Sequence, residues 1–162
     1  PKGPAFDEII RQSVELGASG IYPLMSCRSV VRLGRADAEK KTAKWFEKYV
    51  EAIKQSSNLS KFEMPPVSDI SDFLSNSGGF EVKLVASLRE NASPIYKVLK
   101  SSGVDFAKSA CVLIGPEGDL SDAEYDAAES AGFIPVKLGD NVMKCDTAAA
   151  CALSVLKAFW QK

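Results

Sequence analysis

Apolar residues recur at helical spacing in the first half of the chain and predict its first elements. One stripe indicates a helix over residues 5–16 that ends at Gly17, and a second stripe indicates a helix over residues 36–55. The opposite face of the second helix is rich in lysine, which is more typical of a solvated surface than of an RNA-binding patch. Residues 21–24 predict a short strand, and residues 68–74 fit a short helix.

Strands and helices alternate through the second half. Ser121 and Glu124 form an S-x-x-E capping box at the start of one helix, and Gly132 follows its end. Such alternation is typical of an α/β fold, a parallel sheet with helices on both faces. The fully apolar run 110–114 indicates a strand buried on both faces. The strands are predicted at 83–87, 110–114 and 134–138, and the helices at 94–100, 121–131 and 147–160.

Three strand-to-helix loops follow from this pattern, at residues 88–93, 115–120 and 139–146. Parallel strands end at one edge of a sheet, so all three loops are expected at the carboxyl edge, where open α/β sheets bind ligands. The last helix is apolar nearly all round, which predicts burial from several sides. Its alanines permit close helix contact, either within one subunit or across a dimer seam.

Composition narrows the possible chemistry of this single domain of 162 residues. The chain has no histidine, which excludes Ser-His-Asp and Cys-His nucleophile systems and every zinc site that needs histidine. Its four cysteines form no CxxC pair and are expected to be reduced, mostly buried thiols of an intracellular protein, with no metal site. A net charge of −1 argues against binding nucleic acid by bulk charge alone. No apolar run reaches the roughly 18 residues of a membrane span.

Two loops carry the candidate chemistry. Gly115-Pro116-Glu117-Gly118-Asp119 is a turn whose backbone a ligand can approach closely, although the stretch also fits an ordinary connection. Glu117 is equally compatible with catalysis and with binding loop amides. In the third loop, Val142 and Met143 either wrap an apolar ligand face or fill the core. Asp146 or Thr147 fits the N-cap of the last helix.

The ordered motifs of the chain resemble one family. Ile-Gly-Pro-Glu-Gly at 114–118 is followed by Ser-x-x-Glu, Ala-Gly-Phe, Leu-Gly and Asp-Thr-Ala, and the first half contributes Glu15-Leu16-Gly17 and Arg28-Ser29-Val30-Val31. Together these motifs resemble the SPOUT methyltransferase superfamily and, more narrowly, the RsmE-type small-subunit ribosomal RNA uridine-N3 methyltransferases. The resemblance covers nearly the whole chain.

This resemblance implies properties that periodicity alone does not. It implies a SPOUT-type α/β fold with a C-terminal trefoil knot, S-adenosylmethionine as the cofactor, ribosomal RNA as the substrate and a homodimer with the site near the subunit seam. It also implies an N-terminal PUA-like RNA-binding domain, which is absent from residues 1–162. Because the chain begins at Pro1, we expect it to be part of a longer protein. Such an enzyme is expected in the cytoplasm or in an organelle matrix, without membrane or metal.

The resemblance also assigns site residues by position. Arg28, Glu117 and Asp146 are the catalytic candidates, with Arg28 facing the RNA or the substrate and either carboxylate as the base. The expected cofactor contacts are Leu84, Ser87, Leu88, Ile114, Gly115, Glu117, Gly118, Leu138, Gly139, Asn141, Val142, Met143 and Thr147.

The chain departs from the family pattern near this site. Asp119 stands where the family usually has a second glycine, and Asn58, Asn141 and Lys144 stand at positions where it usually has arginine. Lysine does not reproduce the bidentate fork of arginine, so RNA affinity is expected to differ. Two alternatives therefore remain: a SPOUT methyltransferase for another RNA, or a non-catalytic dimeric RNA-binding or assembly module.

Overall fold

A computed structural model describes residues 4–29, 35–57, 61–101, 103 and 107–160 of the chain. The predictions for Val30, Val31 and Asn58 lie outside these residues. In the described part, the helices are α1 (Pro4–Glu15), α2 (Arg35–Ser56), α3 (Ile70–Ser75), α4 (Ile95–Ser101), α5 (Asp122–Ser130) and α6 (Cys145–Trp160). The strands are β1 (Leu24–Met25), β2 (Ser68–Asp69), β3 (Val82–Ala86), β4 (Ser93–Pro94), β5 (Ala110–Leu113) and β6 (Ile134–Lys137).

The main sheet has four strands in the order β4-β6-β3-β5, and every pairing is parallel. Val85 on β3 lies opposite Leu113 on β5 and Pro135 on β6. The predicted parallel α/β architecture is therefore confirmed. The two-residue strand β4 at the far edge was not predicted, because it lacks the apolar run that marks the other three strands.

Helices cover both faces of the sheet, as predicted. Val82 and Leu84 of β3 pack on one side with residues of α4 and α6, in a cluster that includes Leu99 and Leu156. Val85 points to the other side, where α3 and α5 supply the core. This division follows from the two-residue period of a strand, which sends alternate side chains to opposite faces. β3 thus lies at the centre of both cores.

Helix α1, in the first half of the chain, packs against α2 and α6. The ring centroids of Phe6 and Trp45 lie 4.2 Å apart. A second, two-stranded parallel sheet pairs β1 with β2. Beside it, Gly20 forms a parallel bridge with Glu63, and a Cβ at Gly20 would lie 2.8 Å from the Glu63 carbonyl oxygen. Only glycine therefore fits this close approach.

Several predictions about local structure were wrong. The first strand is Leu24–Met25 rather than 21–24, and the predicted helix at 68–74 begins with the strand Ser68–Asp69. β5 is an edge strand, and only Leu113 among its residues is fully buried in one chain. α6 buries a single stripe of small and apolar residues, namely Cys145, Ala148, Ala152 and Leu156. Its remaining apolar side chains are half-buried, except for the exposed Ala158. α6 thus packs against α1 and α4, but one chain buries it only in part.

Among the described residues, none of the helices combines the length and the apolar character needed to cross a bilayer.

Candidate functional site

Three loops leave the carboxyl edge of the main sheet, after β3, β5 and β6. Their common edge follows from the parallel pairing of these strands. The Ser87 amide, just past β3, donates a hydrogen bond to the Val136 carbonyl of β6 at 2.9 Å. The Cys145 thiol, at the end of the third loop, donates to the Gly115 carbonyl of the second at 3.2 Å. The first bond extends the β3–β6 pairing up to the start of the first loop, and the second bond joins the second and third loops, so all three predicted loops leave the same edge.

The second loop, residues 115–120, is a tight turn. The Asp119 amide donates to the Pro116 carbonyl at 2.9 Å. Asp119 itself has φ 61°, in the left-handed region that glycine, asparagine and aspartate tolerate best. Its Oδ1 accepts a hydrogen bond from the Leu120 amide at 2.8 Å. Aspartate therefore occupies a backbone conformation that explains why glycine is expected at this position of the family.

Arg28 lies against this second loop. Its Nη1 donates to the carbonyl oxygens of Gly118 at 3.3 Å and Leu120 at 3.2 Å. The side chain is exposed at the surface and precedes a turn closed by the Ser29 amide, which donates to the Ser26 carbonyl at 3.0 Å. The structure thus places Arg28 beside the candidate site from a segment 90 residues earlier in the chain.

Glu124 connects the Arg28 segment to the start of α5. The predicted capping box is confirmed, because Glu124 Oε2 accepts from the Ser121 amide at 2.8 Å and Ser121 Oγ accepts from the Glu124 amide at 3.3 Å. Glu124 also accepts from the Cys27 amide at 2.8 Å and from its thiol at 3.2 Å. Burial acts to raise the pKa of Glu124, but these hydrogen bonds outweigh it and hold the pKa below its usual value.

Tyr125 connects the first loop with the second. Its hydroxyl donates to Asp119 Oδ1 at 2.7 Å and lies 3.4 Å from the Ala86 carbonyl at the end of β3. Burial, followed by the hydrogen bond to the Asp119 carboxylate, raises the pKa of Tyr125 to about 12. The Ser87 side chain and the Leu88 backbone act in the opposite direction and lower this pKa.

Arg89, on the first loop, forms ion pairs with α5 at the protein surface. Its guanidinium pairs with Asp126 at 3.0 Å, Asp122 at 3.3 Å and Glu129 at 3.4 Å. It also lies over the Tyr125 ring, 5.2 Å from the ring centroid. The hydrogen bonds to these carboxylates, that to Asp126 first, raise the pKa of Arg89 and oppose its partial loss of hydration.

The third loop is more open. Val142 is 77% exposed, and Asn141 and Gly139 are also exposed. α6 begins at Cys145, and the Ala148 amide donates to the Lys144 carbonyl at 2.8 Å. The prediction of Asp146 or Thr147 as N-cap is therefore wrong. Both residues lie inside the first turn of α6, where the negative Asp146 carboxylate interacts favourably with the positive end of the helix dipole.

The catalytic candidates fall around one buried thiol. Burial raises the pKa of Cys145, and the negative charge of Glu117, with a smaller contribution from Asp146, raises it further. Glu117 is exposed at the tip of the second loop, and Asp146 is half-buried. Both carboxylates thus act on the charge of the same thiol, while Arg28 contacts the second loop through Gly118 and Leu120.

The predicted cofactor contacts divide by position. Leu84 is fully buried between β3 and the α4–α6 face, so its side chain supports the strand and does not face the edge. Ser87 is also buried, with Oγ accepting from the Arg89 amide at 3.1 Å. Ile114, Gly115, Leu138 and Met143 are half-buried, whereas the exposed contacts are Leu88, Glu117, Gly118, Gly139, Asn141, Val142 and Thr147.

Sequence reasoning missed the links that Glu124 and Tyr125 make. The Cys27–Glu124 contact spans 97 residues, which no local pattern reveals. All four cysteines are free, but Cys27 is exposed, so the prediction of mostly buried thiols is wrong for this residue. Across the described parts of the chain, no cluster of three or more potential metal-ligating side chains is found.

A parallel α/β domain with three ligand loops at one sheet edge defines a class of small-molecule-binding α/β domains. The sequence profile of the RNA methyltransferase domain family matches residues 1–157, and the chain belongs to this family.

Individual relatives agree with this assignment. The ribosomal RNA small subunit methyltransferase E of Bacillus subtilis is 31% identical over 96% of this chain and 62% of its own length. The protein of the same name from Synechocystis is 32% identical over 98% of this chain and 50% of its own length. The crystal structure of that methyltransferase from Neisseria gonorrhoeae, bound to S-adenosyl methionine, is 29% identical with a TM-score of 0.85. The similarity covers 98% of this chain and 63% of that one. The chain thus spans about half to two thirds of the length of these relatives.

Proposed function

We propose that this chain is the S-adenosylmethionine-dependent catalytic domain of an enzyme that methylates N3 of a uridine in small-subunit ribosomal RNA. The observation that carries the proposal is the joining of three loops at one sheet edge, in a member of the RNA methyltransferase domain family. Relatives with similarity over nearly the whole chain are named as ribosomal RNA methyltransferases. The proposed setting is the cytoplasm or an organelle matrix, where ribosomal RNA is found.

The exposed residues at the edge fit an adenosyl cofactor. Leu88 and Val142 are large apolar side chains, 60% and 77% exposed, on the first and third loops. On the second loop, a Cβ at Gly118 would meet only Arg28 within 4 Å among the described residues. Apolar side chains on two of the loops and an accessible glycine backbone on the other suit a flat base and its ribose. A relative of this chain is crystallised with S-adenosyl methionine, which supports the same cofactor here.

The residues around the loops suit the proposed reaction. The cofactor supplies a methyl group on a positively charged sulfur, already activated for direct displacement. The site must hold uridine N3 in line with that methyl and remove the N3 proton. Glu117 and Asp146 are the carboxylates available to accept the proton. Arg28, beside the second loop, is the residue we propose for stabilising the negative charge that develops on the uracil oxygens.

We also propose that two copies associate through the groove beside β5. The groove has a volume of about 860 Å³ and lies between α1, β5 and α6, with half-buried Ile9, Val112 and Leu153 along it. A second copy seated there buries the apolar side chains that one chain leaves half-exposed on β5 and α6. Light scattering during size exclusion should give twice the mass of one chain. The mass of a single chain would contradict the dimer. The proposed trefoil knot in the C-terminal part belongs to the same resemblance.

Calorimetry with S-adenosylmethionine tests the cofactor, and methylation of small-subunit RNA by the longer protein tests the reaction. Binding together with a 3-methyluridine found by mass spectrometry supports the proposal. Methylation at another atom or in another RNA would overturn the proposed target, uridine N3 of small-subunit RNA, but would still identify the enzyme as an RNA methyltransferase. An absence of binding at millimolar cofactor favours the non-catalytic RNA-binding module, an alternative that the substitutions Asn141 and Lys144 keep open.

A further inference from the structure

We propose that Asp119 and Tyr125 form a positioning pair that fixes the first and second cofactor loops relative to each other before the ligand arrives. This role rests on the proposed function, because it concerns the affinity for S-adenosylmethionine. Neither side chain is proposed to touch the reacting atoms. The pair instead sets where the backbone of residues 87–88 and 115–120 meets the cofactor.

The contact between the two residues has the geometry of a strong hydrogen bond. Tyr125 is 1% exposed, and its hydroxyl donates to Asp119 Oδ1 at 2.7 Å. A hydrogen bond to a charged acceptor in a water-poor setting is roughly twice as strong as one between neutral groups. Tyr125 lies on α5, which the Glu124 capping box and the ion pairs of Arg89 hold in place. The helix therefore gives Asp119 a fixed partner.

The phenol oxygen of Tyr125 also lies where the two loops approach each other. The Ala86 carbonyl, at the end of β3 and directly before the first loop, is 3.4 Å away. Asp119 meets the same oxygen from the second loop. A shift of either loop thus disturbs one shared hydrogen-bonding centre.

Position 119 has the backbone conformation of the glycine expected from the family, but with an added acceptor. Its φ of 61° is accessible to glycine and tolerated by aspartate or asparagine. Glycine at this position has no side chain for Tyr125 to bind. The carboxylate bonds both its own turn, through the Leu120 amide, and α5, through Tyr125. Aspartate in place of glycine therefore reduces the freedom of the backbone and adds side-chain hydrogen bonds to Leu120 and Tyr125.

Three single variants separate these contributions. Tyr125→Phe removes only the hydroxyl, and Asp119→Gly removes the acceptor but keeps the backbone conformation. Asp119→Asn keeps both an acceptor oxygen and the tolerance for positive φ. Tyr49→Phe on α2 is the matched control, because it deletes a hydroxyl outside the three loops.

Calorimetry should give a dissociation constant for S-adenosylmethionine about 10-fold weaker in Tyr125→Phe and in Asp119→Gly. The double variant should also bind about 10-fold more weakly, not 100-fold, because both changes delete the same hydrogen bond between Tyr125 and Asp119. Asp119→Asn and Tyr49→Phe should remain within about 2-fold of the unaltered chain. Hydrogen exchange of amides 87–88 and 116–120, measured without ligand, should accelerate in the two weakened variants alone.

The outcomes distinguish the pair from the proposed function. Suppose that the unaltered chain binds S-adenosylmethionine and that Tyr125→Phe and Asp119→Gly bind it with the same dissociation constant. That result overturns the positioning role, even if both variants melt at lower temperature. Independent, multiplicative losses in the double variant also overturn it. If the unaltered chain binds no S-adenosylmethionine, the proposed function fails. The ligand-free exchange rates then decide the pair alone, and unchanged rates reject it.

Discussion

The second and third loops leave the same sheet edge, after strands that lie on either side of β3, but are held very differently. Residues 115–120 are bonded by Arg28, Tyr125 and Cys145, from three separate segments of the chain. Residues 139–146 carry the most exposed large apolar side chain of the described residues, Val142. The second loop is shaped by protein contacts before any ligand arrives, whereas the third presents its middle residues, among them Asn141 and Val142, to solvent.

The difference suggests a division of work at the proposed cofactor site. A loop fixed in advance loses little conformational entropy on binding, so its contacts contribute to affinity at low cost. A loop with exposed apolar groups gains burial when a ligand covers it, at about 25 cal/mol per Å² of apolar surface. We therefore expect the second loop to define the position of the cofactor and the third loop to close over it.

The largest effect is expected from Gly118→Val in the fixed loop. A Cβ at this position lies 3.6 Å from the Cβ and carbonyl oxygen of Arg28, so the extra methyl groups crowd Arg28 or occupy the space next to the loop that we propose for the cofactor. Calorimetry should show S-adenosylmethionine affinity reduced by about 100-fold or more. Gly78→Val is the control, because a Cβ at this exposed glycine meets nothing within 4 Å. Unchanged affinity in Gly118→Val would remove the second loop from the site.

A smaller loss is expected from Val142→Ser in the open loop. This change removes apolar surface that the ligand should cover, and it leaves the core untouched because Val142 is 77% exposed. Affinity for S-adenosylmethionine should fall by about 5-fold to 10-fold with the melting temperature unchanged. The control is Phe46→Ser on α2, also an exposed apolar side chain. A loss of stability without a loss of affinity would show that Val142 serves the fold and not the ligand.

Cys145 joins the two loops, and its variants test whether the fixed loop depends on the open one. Cys145→Ser keeps a donor for the Gly115 carbonyl, whereas Cys145→Ala removes it and leaves a small cavity. Cys145→Ala should lower the free energy of unfolding by about 1–2 kcal/mol and weaken the binding of S-adenosylmethionine by about 3-fold. Cys145→Ser should weaken it less. Equal affinities in both variants, measured beside denaturant unfolding, would mean that the two loops act independently.

The smallest effect concerns the strand that leads into the fixed loop. Burial raises the pKa of Cys111 on β5 to about 12. Above about pH 9 the unfolded chain releases this proton while the folded chain keeps it, so stability must fall as pH rises, by at most about 1.4 kcal/mol per unit. Cys111→Ala should reduce this fall in urea unfolding between about pH 9 and pH 11. Val112→Ala, a truncation of its neighbour, should leave the slope unchanged. A slope that does not change in Cys111→Ala contradicts the burial of the thiol.

Local patterns predicted the parts of the molecule that local physics determines. The Ser121–Glu124 capping box and the strand predicted at 83–87 depend on residues a few positions apart, and both were confirmed, the strand as Val82–Ala86. The common edge of the three loops followed from the alternation of strands and helices. The site residues assigned by resemblance stay predictions, including Leu84, whose buried side chain leaves only its backbone for a cofactor.

The contacts that shape the site were not predictable in the same way. Arg28 and Cys27 reach loop 115–120 and α5 across more than 90 residues, so their placement depends on the packing of the whole chain. The bond between Asp119 and Tyr125 spans only six residues, but it requires the positive φ of Asp119. The apolar run of β5 indicated burial on both faces, but its place at the sheet edge leaves it half-buried within one chain.

The central place of β3 has a consequence for how the chain is made. A ribosome completes β3 at residue 86, but its two partners emerge later, at Ala110–Leu113 and Ile134–Lys137. Until β6 is synthesised, this deeply buried central strand keeps one row of amides and carbonyls open to foreign strands. Translation that stops before residue 134 therefore yields a product prone to aggregation, since its central strand lacks one of the two neighbours that protect it.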